Sequence, residues 1–365
     1  MIDCILHLSL INGIGPAAID RIMQNLSAQQ ICDIYAFKHA DFVALCGFTH
    51  TVASKLVVGL SDKTILDREK ALLQKHEITL FTLFDSGYPS LLKQIYLPPP
   101  VLYCKGLLDE SKTIAVVGSR QAQGYAQRTI NLLVPPLVTN GWTIVSGGAV
   151  GADTFAHQTT INARGKTVVV LGSGLLRLYP TENRKLFDAV VNAGGALITP
   201  FALEQQPLPG NFPARNRIIA GLSQGCLVVQ AAQKSGARIT ATYALEQGKD
   251  VFVVPGPIDD PLSAGGHSLI QQGAKLVASA EDIVSEFNET IVSSPASLPS
   301  HKAVEVVKKE CLSDPFLMLC ANPISLEELA HKTNLSFFEL QVKLFDLQLE
   351  GKISQNFAGF WQSCL

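Results

Sequence analysis

The stretch Trp142-Thr143-Ile144-Val145-Ser146-Gly147-Gly148-Ala149-Val150-Gly151-Ala152-Asp153 decides the fold class. A short apolar run ends in a glycine-bearing loop, and the acid that follows suits the first turn of a helix. Runs of the same kind stand at Thr113–Gly118, Thr167–Gly172, Ala196–Pro200, Cys226–Ala231 and Asp250–Pro255. Their Val and Ile residues are continuous rather than alternating, which predicts strands covered on both faces. Helical segments lie between them. The pattern predicts an α/β fold with a Rossmann-like, doubly wound parallel sheet.

Three glycine loops close three of these strands: Gly118-Ser119-Arg120, Ser146–Asp153 and Gly172-Ser173-Gly174. The carboxyl ends of strands in an open α/β sheet share one crevice. Glycine permits close backbone approach there, and helix N-termini offer amides to phosphate. A second segment adds charge. In Asn211-Phe212-Pro213-Ala214-Arg215-Asn216-Arg217, Pro213 reads as an early helical position, so Arg215 and Arg217 are expected in the first turn. A helix N-terminus already carries partial positive charge, and two arginines there imply an anion in front of them.

The charge distribution supports that reading. The whole chain of 365 residues carries a net charge of −2 and is 47% hydrophobic and 16% charged. Residues 111–245, however, hold twelve Lys/Arg against four acids, a net of +8. The flanks hold the other seventeen bases and twenty-seven acids, a net of −10. Between Glu204 and Glu246 there is no acid, and Arg215, Arg217, Lys234 and Arg238 sit there. The eight cysteines never reach CxxC spacing and read as reduced thiols, with no metal site. The N-terminus lacks the basic start and apolar run of a signal peptide, and no apolar stretch is long enough to span a bilayer. A cytoplasmic protein without a membrane partner is expected.

Four segments organise the chain. Residues 1–75 read as short helices, with a helix-hairpin-helix or SAM-like pattern at Leu10–Leu26 and a weaker echo at Leu45–Leu60. The acids Asp3, Asp20, Asp33 and Asp41 favour packing over DNA contact for this region. Residues 76–287 form the Rossmann-like domain, and 288–310, rich in Ser and Pro, a linker. Residues 311–365 carry capping boxes at Ser325–Glu328 and Ser336–Glu339 and a hairpin from Gly351 to Trp361, a winged helix-turn-helix pattern. Its expected recognition helix, 336–350, sets Lys343 against Glu339, Asp346 and Glu350, so a protein partner is favoured over double-stranded DNA.

Cofactor and catalytic readings fare less well. The first strand ends in Gly118-Ser119-Arg120-Gln121-Ala122-Gln123 and the second in Ser146-Gly147-Gly148, without the glycine pattern and acid of a dinucleotide site. No Walker A sequence is present, so no cofactor is expected. Asp153 and His157, four apart on one helical face, are the best acid/base candidates, but capping and packing explain them more simply.

In order along the chain stand Gly118-Ser119-Arg120, Ser146-Gly147-Gly148-Ala149-x-Gly151-x-Asp153-x-x-Ala156-His157 and Leu171-Gly172-x-Gly174-Leu175. They are followed by Tyr179-Pro180-x-x-Asn183, Phe212-Pro213-x-Arg215-Asn216-Arg217 and Ser235-Gly236-x-x-Ile239-Thr240-Ala241, then Val254-Pro255-Gly256 and Leu269-Ile270-x-x-Gly273-Ala274. Over about 85–285 this resembles the DNA-processing protein A family (DprA, also called Smf) of bacterial transformation proteins. The resemblance implies a homodimer that binds incoming single-stranded DNA, shields it, loads RecA and turns nothing over. It implies a DNA pocket formed by Gly118, Ser119, Arg120, Ser146, Gly147, Gly148, Ala149, Phe212, Arg215, Asn216 and Arg217, beside Lys234, Ser235 and Gly236. Arginines would hold phosphates, and Phe212 would stack on a base or pack in the core.

The chain departs from the family at three points. Thr199-Pro200 stands where Ser-Glu is usual, Val229-Gln230-Ala231 where Val-Glu-Ala is common, and Pro209-Gly210 where some relatives carry a lysine. The alternative function is a Rossmann-like nucleotide-processing enzyme of the nucleoside monophosphate phosphoribohydrolase type. Its Pro-Gly-Gly-x-Gly-Thr loop and catalytic Glu are not found here.

Overall fold

Each apolar run named above forms a strand, and alternate residues send their side chains to opposite faces. The computed structural model describes residues 1–109 and 111–290 and, within 319–363, a subset containing one helix and two strands. The strands are β1 (Thr79–Thr82), β2 (Val101–Gly106), β3 (Lys112–Val117), β4 (Trp142–Ser146), β5 (Thr167–Val170), β6 (Ala196–Thr199), β7 (Gly225–Val228), β8 (Asp250–Val253) and β9 (Lys275–Leu276). They lie in the order β1-β2-β6-β5-β4-β3-β7-β8-β9. From β6 to β9 the neighbours are parallel.

The sheet is mixed, which corrects the purely parallel expectation. β2 pairs antiparallel with β6, and β1 antiparallel with β2. β2 escaped the sequence reading because Pro98-Pro99-Pro100 precedes it and suggests a loop. β1 is only partly buried and four residues long, and so carries little apolar signal.

Helices cover both faces. The first six are α1 (Ile2–Leu10), α2 (Pro16–Asn25), α3 (Ala28–Cys32), α4 (His39–Cys46), α5 (His50–Ser61) and α6 (Thr64–Lys75). The next are α7 (Ser90–Lys93), α8 (Gly124–Thr139), α9 (Ala152–Asn162), α10 (Arg184–Asn192), α11 (Asn211–Gly221), α12 (Gly236–Glu246), α13 (Ala264–Gln271) and α14 (Glu281–Val284). Ala115, Val117, Val145, Val170, Val228 and Val253 pack with α11, α12 and α13 on one face. Ile114, Val116, Ile144, Leu227 and Phe252 pack with α8 and α9 on the other. The N-terminal helices share a third cluster with α10, with Val169 and Leu197 of the sheet, and with Leu171 just after β5.

The chain divides into two compact units, Met1–Ser294 and Pro295–Leu365. In the second, α15 (Leu326–Thr333) and the antiparallel pair β10 (Ile353–Gln355) and β11 (Trp361–Ser363) surround Leu329, Leu340, Leu344 and Ile353. The capping residues Ser325 and Ser336–Glu339, the turn at Gly351-Lys352, most of 288–310 and much of 336–350 lie outside the described residues. Among the described residues no helix is long and apolar enough to cross a membrane.

Candidate nucleic-acid interface

The order of the sheet positions the site. From β3 the chain winds outward through β4, β5 and β6, then returns to β7 and winds the other way through β8 and β9. The strand order therefore reverses between β3 and β7, and at such a switch point the loops part to leave a crevice. A cavity of about 510 Å³ opens there. Its walls include Gly118, Ser119 and Arg120 after β3, Ala149 after β4, Phe212, Arg215 and Asn216 of α11, and Lys234, Ser235 and Gly236 at the start of α12.

Glycine is required where these loops cross. Gly151 has φ +85°, and a Cβ there would meet the Ser119 carbonyl oxygen at 2.5 Å. A Cβ on Gly147 would run into the Arg215 guanidinium. The close approach has a consequence for the donors. Ala152 N–H donates to the Ser119 carbonyl at 3.2 Å, and Ala149 N–H to Asp153 Oδ2 at 3.2 Å. The N-terminus of α9 is thus partly occupied by the protein itself. The helix end that faces the crevice is that of α12, capped by Ser235 through Arg238 N–H at 3.5 Å.

Helix α11 begins at Asn211, two residues before Pro213, so Arg215 and Arg217 fall in its second turn and not its first. Asn211 Nδ2 donates to the Gly172 carbonyl at 3.0 Å and anchors this start. Arg215 is 4% exposed. Its Nη1 donates to the carbonyls of Gly147 and, at 2.6 Å, of Val170, joining the ends of β4 and β5. Burial pulls its pKa down to about 10, which leaves it charged at neutral pH. Burial also pushes the nearby Asp153 carboxyl above its usual range, with Arg215 opposing that shift. The two charges offset each other beneath the crevice floor.

Arg217 leaves the helix in another direction. Its Nη1 donates to the carbonyls of Tyr96 and, at 2.6 Å, of Leu97, away from the crevice. Ser146 is fully buried, with Oγ donating to the Val116 carbonyl at 2.6 Å. Gly148 packs against Phe187 and Val169. Ser146, Gly148 and Arg217 shape the site from behind. Gly147 reaches a smaller adjoining pocket.

The exposed cations of the crevice are Arg120 and Lys234. The Arg120 guanidinium carbon lies 5.5 Å from the Phe212 ring centre, and that of Arg215 6.0 Å from it. Phe212 is half-buried above Gly172, so it is neither a core residue nor a free one. Asn216 Nδ2 donates to the Gly236 carbonyl at 3.3 Å and ties α11 to the start of α12. The sequence reading overlooked Asn183 as a positioning residue. Its Nδ2 donates to the Gly148 carbonyl and to Thr154 Oγ1, both at 2.9 Å, holding the β4–α9 loop; its place in the Tyr179–Asn183 motif was the available signal.

His157 is fully buried on α9 and pairs through Nδ1 with Thr167 Oγ1 at 2.7 Å. Thr167 Oγ1 itself donates to the Ile144 carbonyl, so the imidazole proton sits on Nδ1. Burial depresses its pKa to about 3. This imidazole packs inside the molecule and does not face the crevice. Among the described residues there is no group of three or more His, Cys, Asp or Glu able to hold a metal ion.

Comparison with known proteins identifies relatives of this chain. The family described as DNA recombination-mediator protein A matches residues 79–288. DNA processing protein DprA of Bacillus subtilis (strain 168) is 43% identical over 227 residues, which is 61% of this chain and 76% of that protein. The X-ray structure of DprA from Streptococcus pneumoniae superposes with a TM-score of 0.62 at 36% identity, over 75% of this chain and 98% of that one. A structure of DNA processing protein A from Helicobacter pylori, described as giving insight into its single-stranded DNA binding mode, has a TM-score of 0.52 at 28% identity. It covers 57% of this chain and 96% of that one.

Proposed function

The chain belongs to the DNA recombination-mediator protein A family, and on that premise we propose that it binds single-stranded DNA in the crevice between β3 and β7. The observation that carries the reading is convergence: Arg120, Lys234, the N-terminus of α12 and the half-buried Phe212 meet at one open cavity. Phosphates take the two cations and the helix end, while the Phe212 ring offers a base a face to stack on. Gly118, Ser119, Ala149, Ser235 and Gly236 bring backbone close to the strand, and Arg215 and Asn216 hold the floor. The single-stranded DNA binding described for the Helicobacter pylori protein supports the assignment.

In this reading the protein is cytoplasmic and shields incoming DNA during natural transformation, passing it to RecA without chemical turnover. Burial of His157, one of the two acid/base candidates, speaks against the nucleotide-processing alternative. Exposed Leu245 and Ile258 offer apolar surface for the homodimer that the family resemblance implies. The C-terminal unit contacts a protein partner or double-stranded DNA.

Electrophoretic mobility shift with single- and double-stranded oligonucleotides tests the core of this reading. Single strands should bind in preference, and Arg120→Ala should lose about 1.5–3 kcal/mol of affinity, the scale of one charge-assisted bond. Equal binding of both DNA forms, or an unaffected Arg120→Ala protein, would overturn it.

A further inference from the structure

Beyond the crevice, and resting on the reading of it as a single-strand site, a second pocket lies on the other side of the Arg120–Phe212 pair. Its volume is about 110 Å³, and Arg120 and Phe212 line both spaces. The stacked guanidinium and ring therefore act as a partition. The chemistry differs across it. The crevice side has Lys234 and the start of α12. The far side has Tyr179, Val150 and Glu182.

A phosphate suits the first side better, because the second sets Glu182 against Arg120 and an Arg215 already bonded to the Gly147 and Val170 carbonyls, and offers no Lys234 or α12 N-terminus. A planar base suits the second. Tyr179 is 43% exposed and Val150 40%, an unusual pairing of apolar surface beside a charged cleft. The Tyr179 ring sits 5.9 Å from that of Phe212, tilted by 57°, and is braced against it. We propose that Tyr179 forms a second base subsite: a strand anchored by phosphate at Arg120 passes over the Phe212 partition and lays a neighbouring base on the Tyr179 ring. Stacking tolerates any base, because every base has a π face.

The test is a cycle between protein and ligand. Affinity is read by fluorescence anisotropy for wild type, Tyr179→Ala and Tyr179→Phe, with an oligodeoxythymidylate and with an abasic strand of equal length. On the thymidylate, Tyr179→Ala should bind about thirtyfold more weakly, the mid-range cost of one lost stack, and Tyr179→Phe should match wild type. On the abasic strand the Tyr179→Ala effect should vanish. An undiminished effect on the abasic strand, or wild-type binding of the thymidylate by Tyr179→Ala, would overturn the second subsite. Arg120→Ala run alongside separates the two ideas. If it binds weakly while Tyr179→Ala is unaffected, only the subsite fails; if neither variant changes, the crevice assignment fails as well.

Discussion

Arg215 and Arg217 leave one helix two residues apart, and at about 100° per residue their side chains start about 200° around the axis from each other. They cannot share a face. Arg215 turns under the crevice to the Gly147 and Val170 carbonyls, and Arg217 turns away to those of Tyr96 and Leu97. The two therefore predict different phenotypes. Arg215→Met removes a buried charge, leaves Asp153 buried beside nothing cationic, and should destabilise the fold by about 3–5 kcal/mol in urea denaturation. Arg217→Ala frees two carbonyls at a half-exposed site and should lose about 1 kcal/mol, with single-strand affinity unchanged. A stable Arg217→Ala protein with weakened DNA binding would place that side chain back at the ligand.

At the scale of elements, α9 shows how packing sets a pH response. His157 on this helix is held neutral against Thr167 of β5, with its pKa lowered from the ordinary 6.5 to about 3. The unfolded chain takes up that proton as pH drops below about 6.5, while the folded chain does not until about 3. Stability is then full above about pH 6.5 and falls progressively below it. From about pH 7 to 5 this one group contributes a loss of about 2 kcal/mol. Asp153, whose carboxyl is raised by burial, acts in the opposite sense, so the clean measurement is a difference. Urea midpoints of wild type should drop more steeply with acid than those of His157→Gln; parallel profiles would show that His157 does not carry the effect. The six central strands and the glycine loops were legible because each is a local pattern of Val, Ile and Gly. The antiparallel β2 was hidden by its prolines, and the start of α11 carries no side-chain cap for a reader to find. Arg217's partners lie about 120 residues away in sequence, a distance no local pattern reports. The opposed directions of the two arginines, by contrast, follow from helical spacing alone.

For the whole molecule, the question is how much of the +8 carried by residues 111–245 meets DNA. If all of it did, the slope of log affinity against log salt would approach about −5.6 for a single strand, at about 0.7 per phosphate. The fold argues for far less. Arg217 is spent on carbonyls, and Lys166 and Lys112 pair with Asp109 and Glu289, acids from outside this stretch. The crevice itself exposes Arg120 and Lys234, and the α12 N-terminus lines it beside them. Neutralising two or three phosphates gives a slope of about −1.4 to −2.1. Anisotropy titrations of one fluorescent single strand across a series of sodium chloride concentrations should return a value in that range, and Arg120→Ala should reduce it by about 0.7. A slope near −5 would mean that the strand tracks a wide basic surface rather than this crevice. A slope near zero would mean that phosphate contact contributes little, and that stacking on Phe212 and its neighbours holds the strand.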